Sequence, residues 1–460
     1  MKRTTKVVCL LLALVMVLGM LAACAPSQPT PAEPAGQPEQ PAAEETVTLT
    51  YVSWAAGDEQ KDQEAAFAQY MQEHPNVKIE ATFVPYDEYH EKINTLMAAN
   101  TPPDIYYINE YLAADWGEKG VAVDLKPLFE ARGINMEETY IPNALFTSNG
   151  KVFGLASGVV NMNLFYNKEL FAEMGVETPP LDVSEAWTWA EYIDAAKALT
   201  TDQDGNHPGD PNFNPKAIKT YGAKNSTFWL YYMALLYSND ASIFTDDGMG
   251  IALDTPEAKE VLMALRDMMY VDYVAPAGAV AQALPGDPQM FKDKQLGMVI
   301  SGSWSYQSFR NEGIDVGMAP LPGFKTSKTI SWASANQVSA KSKNIDAAVD
   351  LLIWFTSPET NPLQVKSNFP NLKAWYLPEN LGKWTTGDLY NEDFKTVVPQ
   401  MMTPEIALIP ENVYIKNFGP IMDEVVTPAL DKFWLDEASL DDVIAEIKEK
   451  TEGKFQGSSK

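Results

Sequence analysis

Histidine and cysteine, the usual carriers of metal and nucleophilic chemistry, are nearly absent from this 460-residue chain. His74, His90 and His207 show no metal-ligand spacing, which argues against zinc hydrolysis and a serine–histidine dyad. The two cysteines are Cys9 and Cys24, so the chain beyond them carries no disulfide and no thiol chemistry. Eleven tryptophans and twenty tyrosines offer a different chemistry. Trp54 closes the first expected strand, with Asp58 four residues on; Asn109, Glu110 and Tyr111 follow the third. Trp304 follows a Gly-Ser turn at another strand end, and Asn161 and Asn163 interrupt an otherwise apolar run. Strand carboxyl ends line the clefts of open α/β sheets, and buried amides must find partners. Aromatic planes stack on flat C–H faces while amides and carboxylates pair with hydroxyls, so the pattern is one of binding. Trp229, Trp332 and Trp375 join the candidates, with core packing as the competing role. Trp187, Trp189, Trp354 and Trp434 are assigned to core or surface, and a helix cap competes for Asn109.

The elements that position these residues follow from periodicity. Val47, Leu49 and Tyr51 alternate in a strand over 46–52; Ala65, Phe67, Tyr70 and Met71 mark a helix over 58–73, stopped at His74-Pro75. A second strand (77–83), an amphipathic helix (86–100) and a short buried strand (105–108) follow. That order predicts right-handed βαβ units. Ala347, Ala348, Leu351, Leu352 and Phe355 predict a buried helix over 344–355. Ser439 opens a last helix with Leu440, Val443, Ile444 and Ile447 on one face.

The first 45 residues have another purpose. Lys2, Arg3 and Lys6 precede an apolar run from Val7 to Ala23, the pattern of a secretory signal. Leu21-Ala22-Ala23-Cys24 resembles the lipobox of bacterial lipoproteins, which makes Cys24 the expected lipidation site and residues 1–23 the signal. Residues 24–45, with prolines at 26, 29, 31, 34, 38 and 41, are expected to form a disordered tether. The net charge of −28 argues against nucleic acid, anionic headgroups and phosphorylated ligands. Roughly 415 residues remain beyond the tether, too many for one ordinary core, so two lobes are expected.

Five stretches carry a resemblance to a known family. They are Phe67–Ile79 with Glu73-His74-Pro75-Asn76-Val77, and Pro103-Asp104-Ile105 with Trp116, Gly120 and Leu125-Lys126-Pro127-Leu128. Next come Lys151-Val152-Phe153-Gly154-Leu155 with Phe165–Phe171, and Phe291 through Gly297-Met298 to Ser301-Gly302-Ser303-Trp304. Ala319-Pro320-Leu321-Pro322-Gly323 and the helix end at Ser357-Pro358-Glu359 complete the series. In this order they resemble the family 1 sugar-binding branch of the extracellular solute-binding proteins of ABC importers. The resemblance implies a two-lobed α/β fold of the periplasmic-binding-protein type II class, each lobe a mainly parallel sheet with flanking helices, joined by a hinge. It implies lobe one over 46–158 and 324–358, and lobe two over 159–323 and 359–455. It also implies a non-catalytic, monomeric, lipid-anchored receptor outside the cell membrane, binding a neutral sugar or oligosaccharide and delivering it to a permease, with no cofactor. Trp304 matches a tryptophan that often stacks on sugar in that family.

Competing readings remain open at this stage. The acidic pair Asp58-Glu59 leaves room for an amino sugar or polyamine. A secreted glycosidase needs two carboxylates across one bond; Glu110 and Asp58 are nominees that no spacing selects. Asp202-Gln203-Asp204-Gly205-Asn206 has its glycine at the fourth position and lacks the terminal glutamate of a calcium loop, so a turn is expected. Tyr231-Tyr232 is similar to the paired tyrosines of ferric-ion binders, but neighbours on a helix point about 100° apart, so no metal site is expected.

Overall fold

Leu49 and Tyr51 point from strand β1 (Val47–Trp54) into a helical layer, where the Tyr51 ring meets Phe67 and Phe355 at centroid distances of 4.9 and 5.8 Å. Phe67 lies on α1 (Gly57–Glu73) and Phe355 on a distant helix, so one strand face gathers two helices far apart in sequence. Burying each such ring contributes about 1.5–3 kcal/mol. The computed structural model describes residues 46–55, 57–224, 226–361, 368–385 and 391–459, without the side chains of Asp58 and Thr385. The expected signal (1–23), Cys24 and the tether (24–45) lie outside the described residues. No helix among those described is long and apolar enough to cross a membrane.

Strands β2 (Val77–Val84) and β3 (Ile105–Ile108) flank β1 in parallel, reached through α1 and α2 (Tyr86–Ala98). This is the βαβ order read from the periodicity. Asp104 fixes the entry to β3: its carboxylate accepts from the Thr50 N–H at 2.8 Å, the Thr50 hydroxyl at 2.7 Å and the Ser342 hydroxyl at 2.6 Å. Helix α3 (Glu110–Glu118) follows β3 directly. The sheet is completed by β4 (Leu145–Ser148), β5 (Lys151–Leu155) and β12 (Ala335–Val338), in the order β2-β1-β3-β12-β5-β4.

An eight-stranded sheet forms around β6 (Gly158–Asn167), whose residues are almost all buried. β9 (Leu296–Gly302) pairs antiparallel to it, and β8 (Ile218–Lys224) lies parallel to β9. β10 (Val316–Ala319), β11 (Thr329–Trp332) and β13 (Phe369–Pro370) also pair antiparallel with β6, and β14 (Ala407–Leu408) lies parallel to β11. β7 (Thr201–Asp202) closes the far edge against β8. Among the described strands, parallel pairing occurs in β1–β2, β1–β3, β8–β9 and β11–β14. Strands that cross between the sheets return without a helical crossover, and antiparallel pairing permits that.

Three crossings join the sheets. The chain leaves the first between β5 and β6, re-enters it between β11 and β12 through Ala333-Ser334, and leaves it again between β12 and β13. Segment 324–332, expected with lobe one, pairs instead through β11 with the second sheet. The reason is Thr329, whose buried hydroxyl accepts from the Met162 N–H at 3.1 Å and donates to the Met162 carbonyl at 2.7 Å. Helix α4 (Trp229–Ser238) packs on the second sheet, α5 (Ser305–Asn311) follows β9, and α6 (Ile345–Thr356) covers β1. The last helix, α7 (Leu440–Thr451), buries Leu440, Val443, Ile444 and Ile447, with the Ser439 hydroxyl accepting from the Asp442 N–H.

Candidate functional site

The carboxyl ends of β1, β2 and β3 gather aromatic rings at one edge of the first sheet. Trp54 lies 4.4 Å from Tyr107 and meets Tyr86 and Tyr89 edge-on at 5.4 and 5.0 Å. Tyr86 follows Pro85 at the end of β2 and is 51% exposed. Its hydroxyl accepts from the Asn109 amide at 3.1 Å, while the buried Asn109 Oδ1 has no protein partner. Asn109 is the residue before α3 but makes no side-chain cap, so its amide serves the edge and not the helix. His90 leans on Trp54 and Tyr86, and burial holds it below the usual histidine range. Asp58 lies on α1 at the same edge; its side chain is outside the described residues.

Glu110 is buried next to this aromatic group. Burial pushes its carboxyl up to about 7, opposed by its own backbone, the Asn412 amide and the Ser334 hydroxyl. Asn412 donates to Glu110 from a segment anchored in the other body: the neighbouring Glu411 carboxylate accepts from the Ile243 and Phe244 N–H groups at 3.0 and 2.9 Å. Tyr111 is 36% exposed and borders a cavity of about 530 Å³ between α3 and residues 413–420.

The second sheet presents its own edge. Trp304 follows β9, is 37% exposed, and meets Trp332 at the end of β11 edge-on at 5.6 Å. Trp332 is two residues from Ser334, which touches both Glu110 and Tyr107, so the two edges adjoin at the crossing. Gly302 seats the Trp304 ring: a Cβ there would fall within it. The buried Ser303 hydroxyl has no protein partner. Asn161 and Asn163 lie below. Asn163 donates to Asn161 Oδ1 at 2.7 Å, Asn161 donates weakly to the Met402 sulfur at 3.6 Å, and Asn163 Oδ1 is unpaired.

Two expected residues sit elsewhere. Trp229 packs edge-on against Phe418 at 4.8 Å, on the core of the second body. Trp375 is buried, its carbonyl accepting from the Trp384 indole at 2.8 Å and its ring facing the Lys383 ammonium at 5.7 Å. Trp229 opens an apolar helix and Trp375 lies in the short turn Lys373–Tyr376, and packing draws both inward. Tyr231 borders a cavity of about 490 Å³ beside Val299 and Ile300, whereas Tyr232 is in the core, so the pair diverges as helical geometry requires. The Asp202 carboxylate is occupied by its own loop, accepting from the N–H groups of Asp204, Asn206 and Asn214 at 2.9 Å each.

A two-sheet body with aromatic edges meeting at a triple crossing has known counterparts. The model of the family of bacterial extracellular solute-binding proteins matches residues 55–362, more than half of the chain. The chain belongs to this family. This solute-binding protein is similar to the galactooligosaccharide-binding protein of Bacillus subtilis, 25% identical over 348 residues, which are 74% of each chain. A Brucella abortus binding protein is 26% identical over 268 residues, and the match spans 58% of that protein's length and 55% of this one. In fold it resembles the ABC substrate-binding protein Lmo0181 of Listeria monocytogenes, solved in complex with cycloalternan. The TM-score is 0.75 at 20% identity, over 90% of this chain and all of that one. The two-lobed α/β fold is therefore shared.

Several residues at these edges escaped the sequence reading of this solute-binding protein. Tyr86 and Tyr107 obey the same strand-end rule that selected Trp54 and were recoverable from it. Phe228, 46% exposed ahead of α4, sits after β8 by the same logic. Asn412 and Ser334 carry no local signal, because their role depends on a partner hundreds of residues away.

Proposed function

We propose that this solute-binding protein captures a neutral sugar or oligosaccharide between its two bodies and delivers it to the membrane subunits of an ABC importer. A lipid on Cys24 would hold it at the outer face of the cell membrane, with residues 24–45 as the leash. The observation that carries the reading is the pairing of Trp54 and Tyr86 on one sheet edge with Trp304 and Trp332 on the other. Such rings stack on sugar C–H faces, and the unpaired Asn109 and Ser303 oxygens beside them offer partners for hydroxyls. A ligand touching both edges stabilises the closed arrangement over the open one, which is what closure on binding requires. Relatives named as galactooligosaccharide- and diacetylchitobiose-binding proteins support the ligand class. Burial raises both Glu59 and Glu110, which favours their neutral forms and weakens the case for a cationic ligand.

The test is a thermal-shift and calorimetric screen with galacto-, malto- and chito-oligosaccharides, polyamines and amino acids. At a hundredfold excess over its dissociation constant, a specific ligand adds about 2.7 kcal/mol of stability. A shift with a neutral oligosaccharide, lost in Trp304→Ala, supports the reading. Shifts confined to polyamines or amino acids overturn the ligand class, and chain-length loss of an oligosaccharide on incubation overturns the receptor role.

A further inference from the structure

Glu110 stands where three segments meet: the start of α3 on the first body, Ser334 in the crossing between the sheets, and Asn412 on the second body. Both Glu110 and Asn412 are buried, and among the described residues no cation balances the carboxyl. The titratable groups around it are Tyr107 on β3, Glu59 on α1 behind Tyr107, and Tyr111 on its own helix. Beyond these come Tyr86 and Asp423, which face Tyr111, and Glu411 beside Asn412, held by its backbone partners. All are neutral or acidic.

The amide supplies the second observation. Asn412 donates through Nδ2 to Glu110, yet its buried Oδ1 has no partner. A carboxylate only accepts, so it can satisfy the NH2 group and never the amide oxygen. A carboxylic acid accepts through one oxygen and donates through the other, which closes a ring of two hydrogen bonds with the same amide. The orphaned oxygen is then satisfied, and no charge is buried. This holds for either orientation of the amide, because the acid pairs with both of its ends.

We propose that Glu110 and Asn412 form an acid–amide latch between the two bodies, complete only when Glu110 carries its proton, so that closing the bodies takes up a proton. Opening separates the pair and returns the carboxyl to water, where it ionises with an ordinary carboxylate pKa of about 4.3. The closed form therefore binds the extra proton, and closure is favoured below neutrality and weakens as pH rises through the closed-state value of about 7. Between pH 5.5 and 8.5 the closure equilibrium falls roughly thirtyfold. A receptor with this latch loads more readily in an acidified medium. The proposal needs the two-body motion of the proposed function but not its ligand, so a failed sugar screen leaves it standing.

The test uses the full, ligand-free chain. The ¹³Cδ signal that disappears in Glu110→Gln reports the titration of Glu110, and small-angle scattering from pH 5.5 to 8.5 reports opening. In wild type, Glu110 titrates near neutrality and the radius of gyration grows over the same range. Glu110→Gln, whose amide pairs with Asn412 at every pH, stays compact throughout. Asn412→Leu separates the latch from a plain donor contact: loss of the acid's acceptor moves the transition to lower pH, whereas loss of an amide that only donates to the carboxylate moves it higher and overturns the latch. Titration of Glu110 in the ordinary carboxylate range, a pH-invariant wild-type radius, or a Glu110→Gln profile parallel to wild type overturns the latch.

Discussion

Replacing Gly302 by alanine tests whether the seat of Trp304, and not merely its presence, matters for binding. Gly302 ends β9 with an extended backbone that alanine also adopts, so the substitution introduces no backbone strain. The added methyl falls within the Trp304 indole, and the ring must rotate away from Trp332. Trp304 is 37% exposed, so a ligand stacked on it covers about 90 Å² of a side chain of roughly 250 Å². At about 25 cal/mol per Å² that is ~2 kcal/mol, and stacking geometry adds about 0.5–1.5 kcal/mol. Misplacing the ring therefore weakens binding about seventy- to four-hundredfold. Stability should change little, because a shifted rotamer costs about 0.5–1.5 kcal/mol and replacing a strand glycine returns roughly 0.5–1 kcal/mol. Titration calorimetry against the oligosaccharide found in the screen, with a melting curve beside it, gives both quantities. The expected result is an affinity close to that of Trp304→Ala, with Tm within about 3 °C of wild type. Wild-type affinity in Gly302→Ala, alongside a large loss in Trp304→Ala, refutes the argument that the seat positions the ring.

Two further expectations concern the frame. Thr329→Val keeps the shape of the side chain but strips the Met162 N–H and carbonyl of their shared partner, so stability falls by about 2–3 kcal/mol in chemical denaturation. An unchanged midpoint shows that β11 is held to β6 by other means. Asp202 gives a pH dependence. Burial raises its carboxyl, but the Asn206 side chain and three loop N–H groups outweigh burial and hold it down to about 2. Its folded value is depressed, so its contribution is present above pH 4 and lost as pH falls towards 2. Asp202→Asn should flatten melting temperature against pH within that window only; an undiminished acid slope assigns it to other carboxylates.

The first sheet was readable in advance because its signals are local. Alternation in 47–52 and 77–83, the helical stripe of Ala65, Phe67 and Tyr70, and the proline after His74 each act within a few residues. The strand-end rule then nominates Trp54, Asn109, Glu110, Tyr111 and Trp304 as candidates, and applied more fully it reaches Tyr86 and Tyr107. It had no purchase on Trp229 or Trp375. A tryptophan among apolar residues looks the same whether its ring faces a cleft or, as with Trp375, is buried beside a lysine ammonium.

The amino-acid sequence by itself determined the family, the βαβ start, the last helix and the edge at which aromatic rings would collect. Only the tertiary structure decided that β11 belongs to the second sheet, because that depends on a hydroxyl meeting a backbone 167 residues away. It alone brought Asn412 to Glu110 across 302 residues. Hydrophobic periodicity reports which face of an element is buried, not which partner buries it. Partners are chosen by packing and by the satisfaction of buried polar groups across the whole chain, and that choice has no local trace.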